Sequence, residues 1–426
     1  MGSTLKLFSN AIKLDKKKKI TFVINYFYPD VASTGQLMTD LCRELQHDFE
    51  ITVIAGQPGY AGEKAENKKI VEVDYLETMK VIRLKLPNVN KTSKISRIKY
   101  MLSYFFLALW TLLKEKNTTI IYSISQPPIL GGLIGTIGKF LKGSKHIYNI
   151  QDFNPEQAAA VHYTGSVLVY NIALALDKLT CNYANKVIVV GNDMIETLKG
   201  RFKGKKIPNH AVINNWTSED DIIPLPKNTP EILKFKEHYG LKDKFIIMYS
   251  GNIGLFYDLE NIIHVSKEFR ENDDIVFVYI GEGVVKGLMQ QYVKDHHLQN
   301  VRFLPYQPKD FIKYSLNVAD IHFVVNQRGI KGVSVPSKIY GVMAAGKPIL
   351  GVLEKGSEAE RLIANSESGI VVEPKDYEGI IHAINCFYNM DKESLHTMGY
   401  NGRTYLEDNL KKEKSINKYR EVINAL

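Results

Sequence analysis

The sequence predicts an α/β protein built from two Rossmann-like, doubly wound domains that face each other across a cleft. The chain has 426 residues, which is too many for one hydrophobic core. Short β-branched runs alternate with longer helical stretches, as in parallel sheets with crossover helices. The alternation stops at the polar, proline-containing stretch 218–228 and then begins again, so two successive arrays are expected rather than one barrel.

The first array precedes the stretch 218–228. Its strands are expected at 20–26, 51–55, 80–84, 119–123, 146–150, 186–190 and 211–213. Its helices are expected near 35–46, 95–114, 130–141, 166–183 and 193–199. Because ligands of such sheets bind outside the carboxyl ends of the strands, the loops after each strand are the candidate functional segments.

The second array follows the stretch 218–228, which is the predicted linker. Its strands are expected at 245–249, 275–280, 301–304, 321–325, 348–352 and 369–372. Helices are expected between them, including those near 259–269, 337–345 and 377–388. We therefore predict a first domain over 1–217 and a second domain over 229–409.

The bulk composition indicates a folded, intracellular protein. An apolar content of 45% and a charged content of 24% are typical of a globular chain and exclude disorder. Cys42, Cys181 and Cys386 are far apart and match no metal or redox spacing. With the lack of a cleavable signal, they indicate a reducing, cytoplasmic compartment.

The positive charge is concentrated in the first half of the chain. Residues 1–220 carry 29 Lys and Arg against 19 Asp and Glu, a net charge of +10, whereas residues 221–426 carry 26 against 27. A basic half indicates an anionic partner, which can be nucleic acid, anionic lipid or a phosphate-bearing substrate. No zinc finger, RNP-type strand or basic helical repeat is found in the sequence, so no nucleic-acid partner is expected. Solubility alone is the alternative explanation.

An apolar stretch at 101–113 contains no charged residue and follows a basic segment at 91–99. It is too short to span a bilayer, and its length favours a buried crossover helix. The alternative is a helix that lies in a membrane interface, where the basic residues meet anionic headgroups. In that alternative the protein is expected to bind peripherally to the inner face of the plasma membrane. The basic residues are Lys91, Lys94, Arg97 and Lys99.

Two loops of the first array contain candidate functional residues. After the first predicted strand, Thr34, Gly35 and Gln36 open a helix whose free N–H groups and dipole suit an anion, although no G-x-G-x-x-G is present. After the fifth predicted strand come Asp152 and Glu156, with His162 beyond. These carboxylates suit hydrogen bonds to sugar hydroxyls or proton transfer. The alternative is a helix cap by Asp152 or Asn154 before Pro155.

The second array has three glycine- or hydroxyl-rich loops at strand ends. Two of them contain glycines that let the backbone approach a ligand closely. In the third, Ser337 can cap a helix whose first turn holds Lys338, so a dipole and an ammonium are available for a diphosphate. Three such loops on one domain predict a nucleotide pocket. The residues of the first two loops are Gly251, Asn252, Gly254, Gly281, Glu282 and Gly283.

Six segments together carry a family resemblance over nearly the whole chain. They are 25–36, 152–156, 214–216, 250–254, 281–283 and, most specifically, 335–348 with the sequence VPSKIYGVMAAGKP. In these segments the chain resembles the retaining glycosyltransferases of family 4, which have the GT-B fold. The most similar members are bacterial enzymes for capsule, O-antigen or colanic-acid-type polysaccharides.

The resemblance implies a hexosyltransferase-type enzyme that uses a nucleotide diphosphate-sugar, taken to be a UDP-sugar. The second domain would bind this donor, the first would bind a lipid-linked or saccharide acceptor, and the segment 410–426 would cross back to the first domain. It implies no metal and no cofactor, because helix amino ends and a cation neutralise the departing diphosphate. Asp152 and Glu156 are then the catalytic candidates, and Thr34, Gly35 and Gln36 the acceptor or cleft loop.

The chain departs from the family pattern at positions that normally bind the donor. The family's pair of glutamates falls on Val333 and Gly341, so the ribose contact is lost or supplied elsewhere, with Glu358 as the candidate. The Arg and Lys that normally bind the diphosphate fall on Asn252 and Tyr257. Lys338 is the best remaining cation, with Arg328 next.

Two other functions compete with sugar transfer. A sugar-nucleotide epimerase of GT-B fold would use the same pocket without an acceptor. A non-catalytic sugar-nucleotide-binding subunit would explain the missing donor-binding residues by lost catalysis. The basic first domain with its apolar stretch favours transfer to a lipid-linked acceptor.

Overall fold

A computed structural model describes residues 17–30, 32–58, 69–89, 93–161 and 166–426. The strands in these residues are β1 (Lys19–Val23), β2 (Glu50–Gly56), β3 (Val71–Leu76), β4 (Met79–Leu84), β5 (Ile120–Ile124), β6 (Lys145–Ile150), β7 (Lys186–Val189), β8 (His210–Val212), β9 (Phe245–Ser250), β10 (Ile275–Ile280), β11 (Val301–Leu304), β12 (Ile321–Val325), β13 (Ile349–Val352) and β14 (Gly369–Val372).

Most strands are followed by helices, as expected for crossover connections. The helices are α1 (Ser33–Leu45), α2 (Lys94–Lys114), α3 (Leu130–Lys142), α4 (Asn154–Ala160), α5 (Val167–Tyr183), α6 (Met194–Phe202), α7 (Pro230–His238), α8 (Leu259–Ile262), α9 (Lys286–Asp295), α10 (Ile312–Val318), α11 (Lys338–Ala344), α12 (Glu358–Ser366), α13 (Tyr377–Asn389), α14 (Lys392–Asn409) and α15 (Lys412–Asn424). Two 3₁₀ helices span Ile263–Phe269 and Lys309–Phe311.

The strands form two sheets, and the prediction of two Rossmann-like domains is confirmed. The first sheet has the order β3-β4-β2-β1-β5-β6-β7-β8, and the second has the order β11-β10-β9-β12-β13-β14. All neighbours in the second sheet pair in parallel. Its order is that of the doubly wound nucleotide-binding fold, with the switch point between β9 and β12. A ligand of this sheet is therefore expected at the carboxyl ends of these two strands.

By its internal contacts the chain divides into two compact units, residues 1–147 and 148–426. In the first unit, α2 and α3 pack on the sheet around Val23, Ile54 and Tyr104. In the second unit, the β9–β14 sheet has apolar clusters on both faces. The domain boundaries predicted at 217 and 229 and the cleft stay predictions.

The burial of its strands explains why the second array can be predicted from the sequence. All six residues of β10, with the sequence IVFVYI, are buried, as expected for a parallel strand covered on both faces. The bounds of β10, β11, β12 and β14 match the predicted ranges. The predicted helix at 259–269 is wrong in type after its first turn, because α8 ends at Ile262 and a 3₁₀ helix continues to Phe269.

Strand β3 and helix α4 were missed in the sequence. Strand β3 pairs antiparallel with β4 at the sheet edge and alternates charged with apolar residues, so it lacks a continuous apolar run such as that of β10. Helix α4 has only seven residues, too few for a helical period to stand out.

Helix α2 is apolar on two sides, so the expectation of a buried crossover helix is only half correct. Tyr104, Ala108 and Leu112 are buried on the first sheet. The opposite side is exposed by 39–79% and consists of Ile95, Ile98, Leu102, Phe106, Trp110 and Leu113. These residues recur every three or four positions, so they form one stripe along the helix. Within the described residues, no helix is both long and apolar enough to cross a bilayer.

Candidate active site

Two glycine-containing loops pack backbone to backbone at the carboxyl ends of β9 and β10. The Gly251 N–H donates to the Ile280 carbonyl, and the Ile253 N–H donates to the Glu282 carbonyl, each at 2.9 Å. Gly251 and Gly281 have φ angles of 148° and 141°, which side chains rarely tolerate. A Cβ at Gly281 would overlap the Gly251 carbonyl oxygen. The two loops thus need glycine in order to lie this close together.

The other predicted donor residues of these loops lie in the same place. A Cβ at Gly283 would overlap the Ile253 carbonyl, and one at Gly254 would come within 2.7 Å of the Asn252 amide. The Asn252 carbonyl accepts a hydrogen bond of 2.6 Å from the Tyr249 hydroxyl. The structure therefore brings all six predicted loop residues together at the edge where the second sheet is expected to bind a ligand.

Lys338, the predicted diphosphate cation, lies against the first of these loops. Its Nζ donates to the Tyr249 hydroxyl at 2.9 Å and lies 4.4 Å from the Tyr249 ring centre and 4.1 Å from that of Tyr257. A Cβ on Gly251 would touch its Cε at 3.4 Å. Burial lowers the pKa of the Lys338 amine to about 7. Among the residues that the structure describes, no carboxylate contributes to that pKa, so a bound anion would be its first full counter-charge.

Ser337 precedes Lys338 at the start of α11, but the predicted helix cap is wrong. Ser337 occupies the N-cap position without a side-chain cap hydrogen bond. Its φ of −58° and ψ of −20° are already helical, whereas a capping serine normally has extended backbone. Lys338 thus begins a helix of seven residues whose first turn is not capped by Ser337.

Asp152 lies beside the segment that leads into α11. It forms an antiparallel bridge with Ser334, and the Phe153 N–H donates to the Val333 carbonyl at 3.0 Å. Burial raises the pKa of the Asp152 carboxyl, while hydrogen bonds from Ser334 and Gln157 act in the opposite direction. The carboxyl is thus adjacent to the position where the family's first glutamate is replaced by Val333.

Glu156 is held by an arginine that the sequence did not reveal. Both of its carboxylate oxygens accept hydrogen bonds of 2.7 Å from Arg201. The same guanidinium bonds the buried Asp177 at 2.7 Å and lies 4.2 Å over the Phe153 ring. Burial lowers the pKa of Arg201, but its bonds with Glu156 and Asp177 outweigh this and raise it. In this geometry Glu156 attaches α4 to α6, and its catalytic role stays a prediction.

The alternative of a side-chain cap at α4 is wrong. The N-cap residue is Phe153, and α4 has no side-chain cap hydrogen bond. Asn154 instead donates to the Asp152 carbonyl at 3.3 Å, and Pro155 occupies the first turn. His162 lies outside the described residues.

Glu358, the candidate ribose ligand, is bonded by the protein. Its oxygens accept hydrogen bonds from the Asn192 backbone N–H at 2.8 Å and from the side-chain amides of Asn192 and Asn214 at 3.0–3.2 Å. Its own N–H donates to Asp193, which also accepts from the Gly332 N–H. Glu358 therefore holds the start of α12 to the loops after β7 and β8. Contact with a ribose stays a prediction.

The remaining predicted residues lie at separate places. Arg328 follows β12, is exposed, and donates to the Pro374 carbonyl at 3.2 Å. Thr34, Gly35 and Gln36 lie in the first turn of α1 in the first unit. A Cβ at Gly35 would lie 3.1 Å from the carbonyl oxygen of Tyr26, in the loop after β1, so α1 starts close to the end of β1.

A polar cavity of about 380 Å³ opens at the ligand edge of the second sheet. It was not predicted, because its walls come from loops that are far apart in the chain. The lining residues are Val161, Leu255, Asp258, Glu260, Asn261, Gln327, Lys375 and Tyr377. Its size is in the range of small-molecule sites. In the part of the chain that the structure describes, no group of three His, Cys, Asp or Glu side chains is arranged to hold a metal ion.

The family pattern of glycosyl transferases group 1 matches residues 231–405, which contain both glycine loops and Lys338. The second sheet and its site therefore lie in a group 1 glycosyltransferase domain. The chain is 25% identical over 412 residues to the probable glycosyltransferase WbjE of Pseudomonas aeruginosa, covering 96% of this chain and 98% of that protein. It is 24% identical over 405 residues to the putative colanic acid biosynthesis glycosyl transferase WcaI of Escherichia coli K12, covering 92% and 97%.

Solved structures share the fold of this chain. Sucrose-phosphate synthase of Thermosynechococcus elongatus superposes with a TM-score of 0.75 at 15% identity, covering 96% of this chain and 100% of that one. HepE of Anabaena, solved in complex with UDP and glucose, superposes with a TM-score of 0.72 at 13% identity over the same shares. The resemblance to family 4 enzymes with the GT-B fold is thereby confirmed.

Proposed function

We propose that this glycosyltransferase moves a sugar from a UDP-sugar to a lipid-linked acceptor during synthesis of a bacterial surface polysaccharide, with retention and without a metal. WcaI supports the polysaccharide assignment, since it is described as a putative colanic acid biosynthesis glycosyl transferase, and WbjE supports glycosyl transfer. HepE, solved with UDP and glucose, supports the uridine donor. Transfer takes place on the cytoplasmic side of a membrane, where nucleotide sugars and lipid-linked acceptors can meet.

The position of Lys338 is the observation that carries the proposed donor site. Its buried amine lies beside Gly251, in a loop whose backbone also packs on Gly281 and Gly283. A buried ammonium next to closely approachable backbone suits a diphosphate, because charge-assisted hydrogen bonds are strong where water is excluded. In the proposed reaction Lys338 stabilises the charge that develops on the departing diphosphate, which is the part a metal ion would otherwise take.

Asp152 is the proposed partner on the acceptor side. Its carboxyl lies beside Ser334, four positions before Lys338. Its raised pKa means that burial favours the neutral form, which suits a group that exchanges a proton or a hydrogen bond with a sugar hydroxyl. Asp152 thus orients the acceptor while Lys338 holds the donor diphosphate.

The surface formed by α2 and α3 supports a lipid-borne acceptor. Neither helix contains an Asp or Glu, and together they carry six Lys or Arg. The α2 stripe is exposed, and Phe140 and Leu141 of α3 are exposed as well. Lys114 lies 3.5 Å over the Trp110 ring, so a cation and an apolar ring share one site. Apolar side chains surrounded by cations match a bilayer with acidic headgroups.

The donor site is tested by titrating the protein with UDP and UDP-glucose in a calorimeter. We expect Lys338→Ala to weaken binding by about ten- to a hundredfold, because a hydrogen bond to a charged group is worth about 1.5–3 kcal/mol. Lys313→Ala is the matched control, since Lys313 also lies over a tyrosine ring, that of Tyr314, in the same unit. Equal affinity of wild type and Lys338→Ala would remove Lys338 from the site.

A further inference from the structure

Helix α5 has its polar side inward and its apolar side outward. Its buried residues are Asp177, Thr180 and Cys181. The outward residues are exposed by 36–73% and are Val167, Leu168, Val169, Ile172, Leu176, Leu179 and Tyr183. Leu168, Ile172, Leu176 and Leu179 follow one another every three or four positions and form the centre of this outer face. A helix on a protein surface normally has the reverse arrangement.

The inward side explains why the apolar side is not buried. Asp177 accepts hydrogen bonds from the Tyr148 hydroxyl at 2.5 Å and from Arg201 at 2.7 Å, and Arg201 is also paired with Glu156. Turning α5 to bury its apolar side would expose or unpair these charges, and unpaired buried charges are strongly destabilising. The network therefore fixes which side of α5 faces outward.

Lysines lie on the side of α5 that faces α6. The segment 166–217 contains seven Lys and Arg against three Asp and Glu. Lys178 of α5 lies 5.1 Å over the Phe202 ring at the end of α6, which joins the two helices on one surface. Lys203, Lys205 and Lys206 follow directly and are exposed. Cations thus lie on one side of α5, at the end of α6.

These charges decide between two occupants of the face. A second copy of the chain would bring the same lysines toward each other, which costs energy. A bilayer with acidic lipid would cover the apolar side chains and attract the lysines at the same time. We propose that the outer face of α5 is a membrane-docking surface that inserts Leu168, Ile172 and Leu176 among the headgroups of acidic lipid. This goes beyond the proposed sugar transfer, and it concerns a helix other than α2.

The test is co-sedimentation with vesicles of neutral lipid alone and of neutral lipid with about a third of acidic lipid. The variant is Leu168→Gln/Ile172→Gln/Leu176→Gln. The control is Val284→Gln/Leu288→Gln, which changes two exposed apolar residues just before and within α9. We expect the wild type to bind acidic vesicles, the α5 variant to lose affinity by about tenfold or more, and the control to bind as the wild type does. Lys203→Gln/Lys205→Gln/Lys206→Gln should reduce the salt-dependent part alone.

Two outcomes overturn the proposal. One is equal vesicle affinity for the wild type and the α5 variant, both folded by circular dichroism. The other is a wild-type dimer in sedimentation velocity that the α5 variant converts to a monomer, since the face is then a contact between copies. Titration with UDP separates this result from the proposed function: the α5 variant should bind UDP like the wild type. A protein that binds vesicles through α5 but no UDP would refute the proposed function and leave this inference standing.

Discussion

Donor binding is expected to weaken as the pH rises through about 7, because Lys338 then loses its proton. Burial lowers the pKa of this amine to about 7 in the free protein. The diphosphate of a bound donor places negative charge beside the amine and raises its pKa again. Binding therefore takes up a proton, and the affinity is highest at a pH below the pKa of the free protein.

The size of the effect follows from the protonated fraction. With a pKa of about 7, roughly nine-tenths of Lys338 is protonated at pH 6 and roughly one-tenth at pH 8. The apparent affinity scales with the fraction of protein in the competent state. The dissociation constant of the donor should therefore be about tenfold larger at pH 8 than at pH 6.

Calorimetry with UDP-glucose at pH 6, 7 and 8 measures this dependence. A UDP-sugar is the right probe because its diphosphate has no proton to exchange in this range, and two buffers of different ionisation heat report the proton uptake directly. Lys338→Met should bind weakly with no pH dependence, whereas Lys313→Ala should keep the wild-type slope. A flat wild-type profile, or a slope that persists in Lys338→Met, would show that Lys338 does not set the pH dependence of donor binding.

Three further predictions concern Arg201, Asp152 and the basic residues near the start of α2. Arg201→Leu leaves two carboxylates without their partner and should lower the free energy of unfolding by about 3–5 kcal/mol in urea titrations; a change below 1 kcal/mol would contradict the buried network. Asp152→Asn should fold with an unchanged melting temperature but lose about 10²–10⁴-fold in turnover, and loss of stability with normal turnover per folded molecule would assign it a structural role. Replacing four basic residues with glutamine should weaken binding to acidic vesicles by up to about 1 kcal/mol for each residue and leave donor binding unchanged. If the wild type binds acidic vesicles no better than neutral ones, the proposed membrane surface is contradicted. The four residues are Lys91, which lies outside the described residues, Lys94, Arg97 and Lys99.

The fold was predictable where burial dictates sequence. An inner strand of the second sheet is covered on both faces and is therefore a continuous apolar run, as β10 illustrates. An edge strand such as β3 is not covered in this way, and its alternating charges resemble those of a loop. Helix α2 shows a different limit. Both of its sides are apolar, and only the packing of the first sheet decides which side is buried.

The candidate site was predictable in its glycines and in Lys338, but not in what surrounds them. The loops after β9 and β10 meet backbone to backbone and need glycine there, so these positions can be recognised in the sequence. Lys338 contacts Tyr249, which lies 89 positions away in the chain, and no local sequence pattern predicts such a contact. The pairing of Arg201 with Glu156 across 45 positions was missed for the same reason. The sequence alone therefore offers Glu156 as a catalytic candidate but does not show its bond with Arg201.

Incorporation of label from radiolabelled UDP-sugars into lipid measures the proposed sugar transfer itself. The purified protein is incubated with a panel of such donors and bacterial membrane lipid, and the organic phase is counted. We predict protein-dependent label in the lipid fraction that Lys338→Ala removes and Lys313→Ala retains. Label that stays in the aqueous phase with every donor, whether as unchanged nucleotide sugar, free sugar or an epimer, would contradict sugar transfer to a lipid-linked acceptor.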